Sequence, residues 1–275
     1  MRNLCIAGPL VLGLVILVLS VPERGAERYL VTGSSTVAPI LQAAAERLQQ
    51  SEADWVIDVQ TGGSGRGIAD ARAGQSNAGM ASRDLTPEES VGLTVQPLAY
   101  DGVALIAHAS NPTVGLSRDQ VVGIYKKELR TWAAVGGGGG EILVVNKAEG
   151  RATLAVFLEH FGLKNSEISS DVVIGDNAQG LRLVASDPAA IAYVSIGEGL
   201  SAIARGETIR LLALDGVVPS LKTVADGTFP LRRTLYLLLP GELGARDLRL
   251  RDFLMGAEGR SILAGLGFVP FSATD

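Results

Sequence analysis

From Arg28 onward the chain alternates short apolar extended runs with helical patterns, and this alternation restricts the fold more than any other feature. Arg28–Val31 leads into Ala38–Gln50, where Ile40, Leu41, Ala44, Ala45 and Leu48 recur on one side at helical spacing. Trp55–Gln60 alternates as a strand does, TGGSGRG interrupts, and IADARAG reads as a short helix. NAGMAS, EILVVN, DVVIG and AIAYVSI read as further strands. The segments beginning at Asp84, Ser117 and Gly150, and NAQGLRLVASD, read as helices. Strands apolar on both faces that take turns with helices predict an α/β fold, its mostly parallel sheets covered by helices.

Two extended runs are longer or more apolar than the rest: 98–109, beginning LAYDGVALIAH, and 234–240, TLYLLLP. They read as two crossovers between lobes. Lobe one then holds residues 28–104 plus 233–275, and lobe two holds 105–232. The tail reads as one amphipathic helix broken near Gly256. The glycine run at 136–140 is a flexible loop with no assigned role, and Lys126 and Lys127 read as solvated helix charges.

Three strand-to-helix junctions share a build: GSSTVAP, TGGSGRG and NKAEGRAT. Strand ends are where ligands settle in such sheets. A helix start offers free N–H groups and a partial positive charge, glycine lets the backbone approach, and hydroxyls supply donors that rotate. Converging junctions of this kind make an oxyanion cradle, although each alone is also what a plain cap and turn looks like. Arg83 lies at a strand end, and Lys147 and Arg151 surround another helix start. A cation at a helix N-terminus is unfavourable unless an anion joins it.

The first 27 residues differ in kind. Arg2 precedes LCIAGPLVLGLVILVLS, a pattern of a secretory signal with cleavage expected after Ser20; an uncleaved amino-terminal anchor is the alternative. The body is expected to be exported, periplasmic or extracytoplasmic. Cys5 is the only cysteine, and His108 and His160 are the only histidines. A disulfide, a thiolate metal site or a histidine-based triad has little to build on, so no metal, cofactor or catalytic residue is expected. The formal charge of −5 gives no nucleic-acid face.

Taken in order, TGSSTVAP, QTGGSGRGIADARAGQSNAGMASRDLTPEE, AYDGVALIAHASNP, LSRDQVVGIYKKELRTW, NKAEGRATLAVFLEHFG, DPAAIAYVSIGEG, FPLRRTLYLLL and EGRSILAGLGFVP resemble the phosphate-binding proteins of phosphate ABC transporters. The resemblance covers nearly everything after the leader. It implies the two-lobed type II periplasmic binding fold, with phosphate held in the cleft, a membrane ABC permease as partner and a monomeric chain. It also implies ligand contacts at Ser35, Thr36, Val37, Ser64, Gly65, Ser82, Arg83, Lys147, Arg151, Ala152 and Thr153. The usual R-x-D-G-S-G-T stretch stands here as KAEGRAT, keeping the threonine as Thr153. Arg83 occupies the place of an aspartate that accepts the ligand's proton in many members, so discrimination against sulfate is expected to rest on Asp84, Asp101 or a backbone carbonyl.

Three rival readings remain. One keeps the fold and changes the ligand to sulfate, molybdate or tungstate, and another makes the chain an anchored phosphate sensor. The third, a phosphoester hydrolase, lacks both a GxxxxGK[ST] loop and a GxSxG elbow.

Overall fold

The computed structural model describes residues 27–51 and 55–272, so the leader lies outside the described residues. In chain order the strands are β1 (Glu27–Gly33), β2 (Trp55–Thr61), β3 (Ala78–Ala81), β4 (Leu93–His108), β5 (Gly115–Leu116) and β6 (Leu143–Lys147). Then follow β7 (Val172–Ile174), β8 (Ala190–Ser195), β9 (Ile209–Leu211), β10 (Ala213–Leu214), β11 (Arg232–Pro240) and β12 (Val269–Pro270). The helices are α1 (Ala38–Ser51), α2 (Ser64–Arg72), α3 (Pro87–Ser90), α4 (Arg118–Tyr125) and α5 (Ala152–Phe161). They continue with α6 (Asn177–Ser186), α7 (Ile196–Ala204), α8 (Leu221–Ala225), α9 (Ala245–Met255) and α10 (Ala257–Gly265).

The main sheet has the order β2-β1-β3-β11-β4-β8-β6-β7, with β9 and β12 also pairing with β4. Its flanks are parallel: β1 with β2 and β3, β6 with β7 and β8. Its centre is antiparallel, because β4 and β11 run side by side from Arg232↔Gly102 to Pro240↔Leu93. β4 then carries on past that pairing to join β8 through Val103–Ala107. One strand thus belongs to both halves of the sheet.

The apolar side chains segregate accordingly. One core gathers Val31, Ile40, Leu41, Leu48 and Trp55 with Leu235, Leu237, Leu250 and Leu263 from the tail. Another gathers Leu105, Tyr125, Phe157, Phe161 and Tyr193, all drawn from the middle of the chain. Each large side chain buried in this way contributes about 1.5–3 kcal/mol relative to exposure.

Several boundaries differ from the sequence reading, each for a local reason. The break in TGGSGRG is confined to Gly62 and Gly63: α2 already begins at Ser64, because Gly63 takes the turn at φ 93 and Gly67 lets the helix touch β1. A Cβ on Gly67 would stand 2.7 Å from the Gly33 Cα. Helix α4 stops at Tyr125, where Lys127 turns to φ 60. Lys126 and Lys127 are therefore not free helix charges; they pair with Glu167 and Asp171. β11 opens two residues early, which brings Arg232 and Arg233 into the strand. Helix α7 was hidden by Gly197 and Gly199, poor helix formers that here allow close packing on Gly267 and Leu211. The break at Gly256 is where the glycine placed it.

Candidate functional site

The three junctions meet. Ser34, Ser35, Thr36, Gly63, Ser64, Ser82, Lys147, Arg151, Ala152 and Thr153 line one cavity with Gly175, Asp176 and Asn177. It is small and nearly filled, with a volume of about 10 Å³, far below the ~300–1,000 Å³ of drug-sized pockets. Its walls come from the ends of β1, β3 and β6 and the starts of α2, α5 and α6, as the strand-end rule requires.

The first junction is organised by Ser34, whose hydroxyl accepts from the Thr36 and Val37 amides and donates to Ser82 Oγ at 2.9 Å. The second is tied to β3, since the Ser82 amide donates to Ser64 Oγ at 3.0 Å. Across the cleft, the Gly65 amide donates to the Gly150 carbonyl at 3.2 Å, so two turns distant in sequence touch backbone to backbone. Thr36 Oγ1 accepts from Asn177 Nδ2 at 3.1 Å, a second contact between the halves.

The decisive residue was not anticipated. Arg233 on β11 stands directly opposite Asp101 on β4 and forms a buried pair with it, at 2.8 and 3.1 Å. The same guanidinium reaches Thr36 Oγ1 at 3.1 Å, Thr153 Oγ1 at 3.3 Å and Ser82 Oγ at 3.4 Å. It stands behind the hydroxyl wall and consumes acceptor capacity there. A hydroxyl has two lone pairs and one proton. Ser82 Oγ accepts from both Ser34 and Arg233, so the proton it has left is available to a ligand. The sequence held a signal for this pair: a lone aspartate in LAYDGVALIA and an arginine doublet before TLYLLL, charges that apolar strands tolerate only when partnered.

The remaining cations behave differently. Lys147 ends β6 with 2% exposure, its ammonium donating to the Asp176 carbonyl at 2.7 Å and Asn177 Oδ1 at 3.0 Å. Burial is the main cause that pushes it down to about 7, opposed by the carboxylates of Glu198 and Asp176. Arg151 occupies the N-cap of α5 without making a cap bond, and its Nη1 is buried with no partner among the described residues. A cation so placed gains from an anion.

Three expected contacts lie elsewhere. Arg83 does not line the cavity: its guanidinium forks onto Glu89 at 2.7 and 2.8 Å and borders a neighbouring groove with His160, Glu159 and Arg232. Gly65 borders a groove outside the cavity, and Val37 is buried beneath the first junction. The proposed proton acceptors are also engaged. Asp84 accepts from the Tyr236 hydroxyl, and Asp101 from Arg233 and the Gly197 amide. No cluster of metal-binding side chains occurs among the described residues, and no described helix is long and apolar enough to cross a membrane.

Comparison with known proteins gives consistent relatives. A family model described as a PBP superfamily domain matches residues 20–254. The phosphate-binding protein PstS of Bacillus subtilis is 27% identical over 254 residues, 90% of this chain and 82% of that protein. A substrate-binding protein from Clostridium perfringens, solved with phosphate bound, superposes with a TM-score of 0.81 at 30% identity, covering 90% of this chain and 100% of that one. An ABC-type phosphate transport receptor from Vibrio cholerae gives 0.71 at 27% identity, covering 88% and 99%.

Proposed function

The chain belongs to the PBP superfamily, and on that premise we propose that it captures inorganic phosphate between two lobes and delivers it to a membrane ABC transporter. It acts as an exported, monomeric binding protein, not as an enzyme. Lobe one is residues 28–104 with 233–275, lobe two is 105–232, and β4 and β11 are the hinge between them. Closure brings the first and second junctions onto the third, which removes water and strengthens each charge-assisted hydrogen bond. The observation that carries this reading is the excess of donors. Arg151 has a buried guanidinium nitrogen without a partner among the described residues, and Arg233 fills acceptor sites on the hydroxyls around it.

Titration calorimetry with phosphate, sulfate and molybdate tests it. Phosphate is expected to bind at one site per chain and at least tenfold more tightly than sulfate at neutral pH. Equal competition by sulfate would retire the phosphate assignment. One observation favours a broader oxyanion specificity as the second reading: Asp84 and Asp101, the carboxylates expected to read the ligand's proton, already have partners.

Binding should also take up protons. Burial holds Lys147 down to about 7, and loss of hydration holds Glu198 up to about 7. Above that pH the first loses positive charge and the second gains negative charge. Both changes oppose an anion, so affinity falls as pH rises from 7 to 9. In Lys147→Met that slope should flatten, read by calorimetry in buffers of different ionisation enthalpy.

A further inference from the structure

Glu198 does not line the cavity, yet it is joined to it through one side chain. It is the third residue of α7, and Ser195 caps that helix by accepting from the Glu198 amide at 3.4 Å. A capping box would send the Glu198 carboxylate back to the Ser195 amide. Instead the carboxylate turns to Asn177 and accepts from Nδ2 at 2.6 Å.

Asn177 is 2% exposed, and its carboxamide makes three of its four possible hydrogen bonds within the protein. Its two N–H donors go to Glu198 Oε1 and to Thr36 Oγ1, and its carbonyl accepts from Lys147 Nζ at 3.0 Å. Turned over, the amide would set its carbonyl against the Glu198 carboxylate and its NH₂ against the Lys147 ammonium. Glu198 and Lys147 together therefore fix which end of Asn177 faces Thr36, Glu198 by taking the donor side. Thr36 Oγ1 then accepts twice, from Asn177 and from Arg233 Nη2 at 3.1 Å, which fills both lone pairs. The hydroxyl proton is left, and Thr36 lines the cavity.

We propose that Glu198 is a positioning residue for anion capture: by accepting from Asn177 it holds the carboxamide in the one orientation that makes Thr36 an obligate donor to the bound oxyanion. The inference rests on the phosphate-binding reading, and the test separates the two. Inorganic phosphate is titrated into wild type, Thr36→Val, Glu198→Met and the double variant, with thermal unfolding of each recorded alongside. Thr36→Val is expected to weaken binding roughly thirtyfold and Glu198→Met roughly tenfold, the scale of one or two charge-assisted hydrogen bonds. In the Glu198→Met background, Thr36→Val should cost less than about threefold, because Asn177, anchored by Lys147 alone, no longer holds its NH₂ group on the hydroxyl.

A purely structural Glu198 would lower stability and leave the two losses multiplicative; that result overturns the inference. Glu198→Gln keeps an uncharged acceptor of the same length and should bind between wild type and Glu198→Met. If Glu198→Met does not fold, the same cycle with Glu198→Gln must still show a smaller Thr36→Val loss than in wild type, and multiplicative losses there overturn the inference equally. Wild type that fails to bind phosphate removes the functional reading itself.

Discussion

Arg233→Lys is expected to weaken phosphate binding roughly a hundredfold while leaving the protein folded. Lysine keeps a positive charge opposite Asp101 but cannot fork. The carboxylate and the hydroxyls of Thr36, Ser82 and Thr153 can no longer all be reached from one head group. Two lost bonds of about 1.5 kcal/mol each give that factor. Arg233→Met should be worse in a different way: it strands a buried Asp101, and breaking such a pair destabilises by about 3–5 kcal/mol. Calorimetry on the lysine variant and denaturant unfolding of the methionine variant separate the two effects. Wild-type affinity in Arg233→Lys would mean that the hydroxyls orient themselves.

Arg151→Ala should divide binding from stability with the opposite sign. Its Nη1 is buried without a partner among the described residues, at a helix N-terminus that disfavours a cation. Removing it relieves about 0.3–1 kcal/mol in the ligand-free protein. It also deletes the cation best placed to meet the anion, so affinity should drop ten- to a hundredfold. The ligand-free midpoint of unfolding is expected to hold or rise. A fall in the midpoint with binding intact would remove Arg151 from the site.

The parts of this site that were legible in the sequence are those that local chemistry determines. Glycine and hydroxyl residues between a strand and a helix announce a junction, and all three junctions converge on one cavity. Lys147 and Arg151 follow from that pattern, and the resemblance to the phosphate-binding proteins adds Thr36, Ser64 and Thr153. What escaped is set by pairing between distant segments. Arg233 acquires its role only because β11 lies against β4 with Asp101 opposite, and no local window reveals that register. Glu198 was hidden because two glycines mask the helix that carries it. Arg83 misled for the converse reason: a cation beside a promising turn had a nearer carboxylate at Glu89, six residues along.

The placing of the buried pair has a kinematic consequence. Arg233 and Asp101 belong to β11 and β4, so a rotation about the proposed hinge would turn around them and move them least. The hydroxyls of β1 and β3 keep their backing when the molecule gapes. Arg151 lies on the opposite wall of the cavity, at the start of α5. On the proposed closure, an arriving anion would meet a finished half-receptor first, with Arg151 supplied by the other wall as the latch.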